Sequence, residues 1–314
     1  MLSSSLGTSS YRRAQVVVMK SPQGFADRLM VLNQCLLYCL KYHAVICVDW
    51  EDSTWGVPFH EMFELLGVYS VPKTKVLAMI EQGSTLTKHW TYEDVKNPIC
   101  EKTKDMKYVG DWMSTDEAVR FETKQPEEDI LVTNGLGKRT THFELLCITL
   151  RLKKDIADIV RSRNPAFVLG TPRDPGTEYL MVHLRGNDRK VDGFLENMME
   201  GFRDVYKQWS ENKSIFVVSD DQDMLDRWIP EFPACRHPSG QVFDGRLLRK
   251  CGQSHLLKAD GLTKKEMNIS LLSDFFGIMW ATARFGMIDS GFFSLAGSLN
   301  QFGGREIIDP GPEA

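Results

Sequence analysis

Tyr179-Leu-Met-Val-His183-Leu-Arg185-Gly186-Asn187-Asp188-Arg189 is the stretch on which the reading of this chain turns. A short apolar run passes directly into His, Arg, Asp and Arg, so a β-strand would carry these polar groups at its carboxyl end. In an open α/β sheet that end faces the crevice where ligands bind. An arginine there can meet a diphosphate with two parallel charge-assisted bonds, and Gly186 would let the backbone come close to an anion. Taken alone, the segment would suit a solvated turn with an Arg/Asp ion pair equally well. Its surroundings decide between the two.

Downstream the spacing predicts a helix over Phe194–Gln208, a strand over Ile215–Ser219 and a helix over Gln222–Trp228. A helix over Lys264–Thr282, a strand over Phe285–Ile288, a helix from about Phe292 and a strand over Glu306–Ile308 follow. Upstream, the run 14–19 reads as a strand closed by the turn residues 21–24. Leu29, Leu32, Leu36, Cys39 and Leu40 then recur at helical spacing before the strand Val45–Val48, which makes a βαβ unit. Ile130–Thr133 reads as a further strand and Leu145–Val160 as a helix broken by the segment 161–165. Residues 82–128 read as an insertion and 170–176 as a linker. The expected architecture is therefore α/β: a flexible leader over 1–13, a Rossmann-like domain over 14–165 and a second over 166–314, their parallel sheets facing across a cleft.

At 314 residues the chain has room for about two cores at roughly 150 residues each. Lys+Arg 38 against Asp+Glu 42 leaves a formal charge of -4, so no global basic field exists for a nucleic-acid backbone. The longest apolar stretch, around Phe275–Ala283, falls well short of the roughly 20 residues of a membrane span. The leader lacks an apolar h-region, and a cytoplasmic location is expected. Seven cysteines, an odd number without a CxxC pair, read as reduced and mostly buried thiols.

Three further junctions could carry chemistry. Ser214–Ser219 ends in Asp220-Asp221. Asp274 leads through an apolar run to Ile288-Asp289-Ser290-Gly291, where a hydroxyl and free N–H groups precede a helix, a setting that suits either a phosphate or a plain N-cap. Gly24-Phe-Ala-Asp27-Arg28 is a similar strand-to-helix junction. Asp221-Gln-Asp223 has metal-ligand spacing but opens a helix, where acidic residues complement the dipole, so no metal is expected. Gly135-Leu-Gly-Lys-Arg-Thr140 fails the phosphate-loop pattern because Val132 stands where glycine is required. Trp50, Trp55, Phe59 and Phe63 are read as core in preference to a sugar-stacking groove.

Together these elements resemble the fucosyltransferase superfamily of GT-B-like enzymes, which includes nodulation fucosyltransferases, α1,6-fucosyltransferases and protein O-fucosyltransferases. The resemblance runs from about Val16 to Ile308. It rests on Gly24-x-x-Asp27 opening a long helix, on Asp49-Trp-Glu-Asp-Ser53, on a helix over Leu150–Ile156, and on His183-x-Arg185-x-x-Asp188-Arg189. The resemblance implies a metal-independent, inverting transfer of L-fucose from GDP-fucose to a carbohydrate acceptor, with the donor on the C-terminal domain. It implies that Arg185 contacts the β-phosphate, His183 lies against the guanine, Asp274 accepts from the guanine amino edge and Ser290 holds phosphate. Gly24, Asp27, Arg28, Asp188, Arg189, Asp220 and Gly291 complete the donor-site candidates. The sequence departs from the family at Gly186, where many relatives carry a second arginine. Asp192 is the expected catalytic base, with Asp27 and Asp49 as other carboxylates that could serve. The alternatives are a non-catalytic nucleotide-sugar-binding module and a transferase with another donor.

Overall fold

The computed structural model describes residues 14–20, 24–51, 55–87, 90–98, 127–133, 142–169, 178–186, 193–211, 213–236, 238 and 263–308. The elements run β1 (Val16–Met19), α1 (Phe25–Tyr42), β2 (Val45–Val48), α2 (Phe59–Met62), β3 (Phe63–Leu65), α3 (Lys73–Glu81), α4 (Tyr92–Lys96) and β4 (Ile130–Thr133). They continue with α5 (Glu144–Thr149), β5 (Leu150–Leu152), α6 (Lys154–Arg163), α7 (Pro165–Val168), β6 (Tyr179–Leu184), α8 (Phe194–Ser210), β7 (Ser214–Ser219) and α9 (Gln222–Glu231). β8 (Cys235–Arg236), α10 (Lys264–Trp280), β9 (Ala283–Gly286), α11 (Gly291–Gln301) and a 3-10 turn (Gly304–Ile307) close the described fold.

Two parallel sheets form, in the orders β2-β1-β4 and β8-β7-β6-β9. In each, the first strand of the unit lies inside and later strands add on either side of it. The chain leaves β6 toward β7 and β8, then returns to place β9 on the other flank, so the sheet reverses direction between β6 and β9. Loops after two such strands diverge and open a crevice at their carboxyl ends. Arg185 follows β6 and Ser290 follows β9, which sets both at that crevice. In the first sheet the same reversal falls between β1 and β4, and Gly24 lies in the connection from β1 to α1.

The strand period of two decides which core each side chain joins. Tyr179 and Met181 of β6 face an apolar core shared with α1, α10, α11 and the inner face of β1, whereas Leu180, Val182 and Leu184 face α8 and α9. On the far side of the first sheet Val16, Val18, Ile130 and Val132 pack with α3 and α4. Helix α10 fills the middle of the shared core and is apolar on almost every side, with its residues from Phe275 to Trp280 all buried. Trp50, Trp55, Phe59 and Phe63 pack edge-on or stacked with centroids 5.0–6.3 Å apart and are buried, so they belong to the core.

The expected helix over Leu145–Val160, and with it the helix read over Leu150–Ile156, is corrected by the structure. Leu150–Leu152 leaves the helical path to pair antiparallel with Phe63–Leu65. The Arg151 guanidinium fastens the break by donating to the carbonyls of Cys147 at 2.6 Å and Leu150 at 2.8 Å and by pairing with Glu306 at 3.3 Å. Tertiary pairing thus overrides a helical period that continues on either side of the break. The strand expected over Glu306–Ile308 is the 3-10 turn, entered through Gly303 at φ 80°, and its apolar side chains Ile307 and Ile308 are buried in the shared core. The strand expected over Phe285–Ile288 lies at Ala283–Gly286, where Ala283 to Gly286 pair with Leu180 to His183. The insertion over 82–128 contributes α4 and a bridge from Leu86 to Ile130. The linker over 170–176 and the loop over 135–140 lie outside the described residues.

Candidate active site

β6 ends in His183-Leu184, and Arg185 and Gly186 follow it into the crevice. Arg185 Nη1 donates to Ser290 Oγ at 3.4 Å. Ser290 is fully buried and also accepts from the Phe293 N–H at 3.4 Å, so it is the N-cap of α11 and an arginine contact at once. Asp27, in the first turn of α1, approaches from the other sheet. A Cβ built on Gly291 would lie 4.0 Å from Asp27 Oδ1, and one built on Gly24 would lie 4.0 Å from Asp27 Oδ2. Arg185, Ser290, Gly291, Asp27 and Gly24 therefore converge from residues far apart in the chain.

Gly186 plays a different part from the one expected. Its N–H donates to Asp220 Oδ1 at 2.7 Å and is committed within the protein. Its missing side chain makes room for α9: a Cβ there would meet Met224 Sδ at 2.5 Å, Asp221 Cβ at 2.6 Å and Asp221 Oδ2 at 2.7 Å. Asp221 is itself fixed, since its Oδ1 accepts from the Asp223 N–H at 2.9 Å as the N-cap of α9. An arginine at position 186 would collide with this helix start. Asp220, a donor-site candidate, holds the turn after β6.

His183 is 6% exposed and stacks on Phe292 and Phe293 with centroids 5.7 and 5.8 Å away. Burial, reinforced by the neighbouring Arg185 charge, pulls its pKa down to about 4 and keeps the imidazole neutral. Among the described residues its Nδ1 has no hydrogen-bond partner. Arg28 is 1% exposed, its guanidinium 5.6 Å from the Trp50 ring centroid and 6.0 Å from that of Trp55, so it is packed as a cation over indoles beneath the crevice. Asp274 projects from α10 with its carboxyl pushed up to about 7 by burial against the opposing pull of Arg163. Its neighbour Phe275 packs edge-on against Phe292 at 5.0 Å. Asp188, Arg189 and Asp192 lie outside the described residues.

Asp49 does not serve as a base in this arrangement. It is buried at the end of β2 and accepts from Lys20 Nζ at 2.8 Å and Lys73 Nζ at 3.1 Å. Lys20 also donates to the Val95 carbonyl at 3.3 Å and to that of Asn97 at 2.5 Å, tying α4 to the first sheet. Sequence reasoning missed this pair, although a lysine directly after the apolar run Val16–Met19 and an aspartate directly after Val45–Val48 are the residues that adjacent parallel strands would bring side by side. Among the described residues no group of three or more His, Cys, Asp or Glu side chains converges in a way that could hold a metal ion. No described helix is long and apolar enough to cross a membrane. The described cysteines, Cys35, Cys39, Cys47, Cys147 and Cys235, are buried and free.

No family model matches the sequence, and no curated protein matches it. Solved structures do. NodZ α-1,6-fucosyltransferase soaked with GDP-fucose superposes with a TM-score of 0.61 at 18% identity, covering 91% of this chain and 92% of the other. NodZ from Bradyrhizobium gives 0.61 at 16% identity over 90% and 92% of the two chains. POFUT1 in complex with GDP-fucose gives 0.53 at 12% identity over 95% and 96%. The parallel sheets, the order of the elements and these full-length superpositions agree, and the chain has the GT-B fold of the fucosyltransferases.

Proposed function

We propose that this protein is a glycosyltransferase that moves L-fucose from GDP-fucose to a carbohydrate acceptor, without a metal and with inversion at the anomeric carbon. The observation that carries the reading is the meeting of Arg185 with Ser290 at the switch point of the second sheet, one residue from a helix N-terminus that lies against Asp27. The leaving group is a nucleoside diphosphate, and its developing charge needs fixed donors in a site of low dielectric constant. Arg185, Ser290 and the first N–H groups of α11 are such donors, and their arrangement is held before any ligand arrives. Asp274, whose carboxyl titrates near neutrality, is the proposed partner of the guanine amino edge. In this reading residues 166–314 bind the donor and 14–165 face the acceptor, in the cytoplasm.

The titles under which the neighbours were solved name GDP and GDP-fucose as their ligands, which supports that donor. One observation favours a second reading, a binding module without transfer: position 186 is closed to a second cation by Asp221 and Met224. A thermal-shift titration with GDP, GDP-fucose and UDP, with and without EDTA, separates the possibilities, because a ligand that binds only the folded state raises its stability. The expected result is a GDP-selective, EDTA-insensitive shift that Arg185→Ala abolishes. An equal shift with UDP would remove the guanine assignment, and no shift with any nucleotide would remove the donor site.

A further inference from the structure

The carboxylates of the described crevice are not equivalent. Asp220 is committed to the Gly186 N–H at 2.7 Å, and Asp49 is neutralised by two lysines. Asp274 acts against Arg163 on the α10 side. Asp289 is exposed, and no hydrogen bond or ion pair among the described residues fixes its side chain. Asp27 differs from all of these. It is partly exposed, its two oxygens lie beside Gly24 and Gly291, and Gly291 adjoins the serine that Arg185 contacts. It stands on the first sheet's side of the crevice, opposite the arginine.

We propose that Asp27 is the carboxylate that takes the proton from the attacking hydroxyl, an assignment that rests on the donor reading given above. The step balances without a further reagent. The acceptor oxygen forms its bond to the anomeric carbon as the bond from that carbon to the β-phosphate oxygen breaks. The electron pair leaves with GDP, whose charge Arg185 offsets, and the hydroxyl proton passes to Asp27. A base must lie on the face opposite the leaving group for in-line attack. Asp27 and Arg185 come from opposite sheets, which satisfies that demand. The glycines at 24 and 291 place no side chain on either flank of the carboxylate, so an acceptor hydroxyl can approach it.

The test uses the full chain and GDP release from GDP-fucose in water, where water is the acceptor. Asp27→Asn should lower kcat by about 100- to 10,000-fold, the usual yield of general-base catalysis, with the KM for GDP-fucose and the GDP-induced thermal shift unchanged. Asp27→Ser keeps a good first-turn residue, and added sodium formate should restore part of its turnover, which a purely structural role would not allow. Turnover in Asp27→Asn within tenfold of wild type, or a raised KM with unchanged kcat, would overturn the assignment. So would a loss of turnover in Asp192→Asn or Asp289→Asn that Asp27→Asn does not share. A wild-type chain with neither a GDP shift nor GDP release would take down the donor reading and this assignment together, whereas a wild type with both beside an unaffected Asp27→Asn would take down the assignment alone.

Discussion

Replacing Gly186 with alanine adds one methyl group at the tightest point beside the crevice. The backbone there does not have a positive φ, so the requirement for glycine is one of space. The new Cβ would sit 2.5 Å from Met224 Sδ and 2.6 Å from Asp221 Cβ. The methionine sulfur can swing away at small cost, but Asp221 is pinned as the cap of α9 and cannot follow. Overpacking of this kind costs about 1–3 kcal/mol, and a backbone shift would weaken the 2.7 Å bond from Gly186 N–H to the Asp220 carboxylate, a charged hydrogen bond worth about 1.5–3 kcal/mol. The two losses overlap, so the expected destabilisation is about 2–4 kcal/mol. Urea unfolding followed by tryptophan fluorescence measures it. The same shift moves Arg185, so the GDP-induced thermal shift should shrink together with the stability. Combining Gly186→Ala with Met224→Ala should recover only the part of the cost that comes from the sulfur. An alanine variant within about 0.5 kcal/mol of wild type, with its GDP shift intact, would refute the reasoning.

Two further outcomes concern stability. His183 stays neutral in the folded state down to about pH 4, while an unfolded histidine protonates near 6.5, so its contribution is whole above 6.5 and is lost as the pH falls toward 4, by about 3 kcal/mol. Asp274 acts with the opposite sign: its raised pKa of about 7 gives stability that is whole below 3.8 and lost as the pH rises through 7. His183→Phe should therefore make the protein gain stability on acidification from pH 7 to 4, and Asp274→Asn should make it lose stability, as chemical denaturation at each pH would measure. Lys20→Met leaves the buried Asp49 with one lysine and two carbonyls without their donor, and should cost about 3 kcal/mol in urea unfolding, against less than about 1 kcal/mol for the partly exposed Lys73→Met.

The sequence by itself determined the alternation of strands and helices, because apolar runs such as Val16–Met19 and Tyr179–Leu184 and the helical spacing of Leu29, Leu32 and Leu36 are local signals. It also put Arg185 and Ser290 at strand ends, where the topology makes them neighbours. Only the tertiary structure decided what lies next to what. Leu150–Leu152 became a strand because β3 offered it hydrogen bonds, and Arg28 and His183, polar residues that read as ligand contacts, were drawn into aromatic packing that no local pattern records. The reason for Gly186 could not be read along the chain at all, since it resides in the distance from one backbone atom to Asp221 and Met224, more than thirty positions away, and such distances exist only once both strands lie side by side in the sheet.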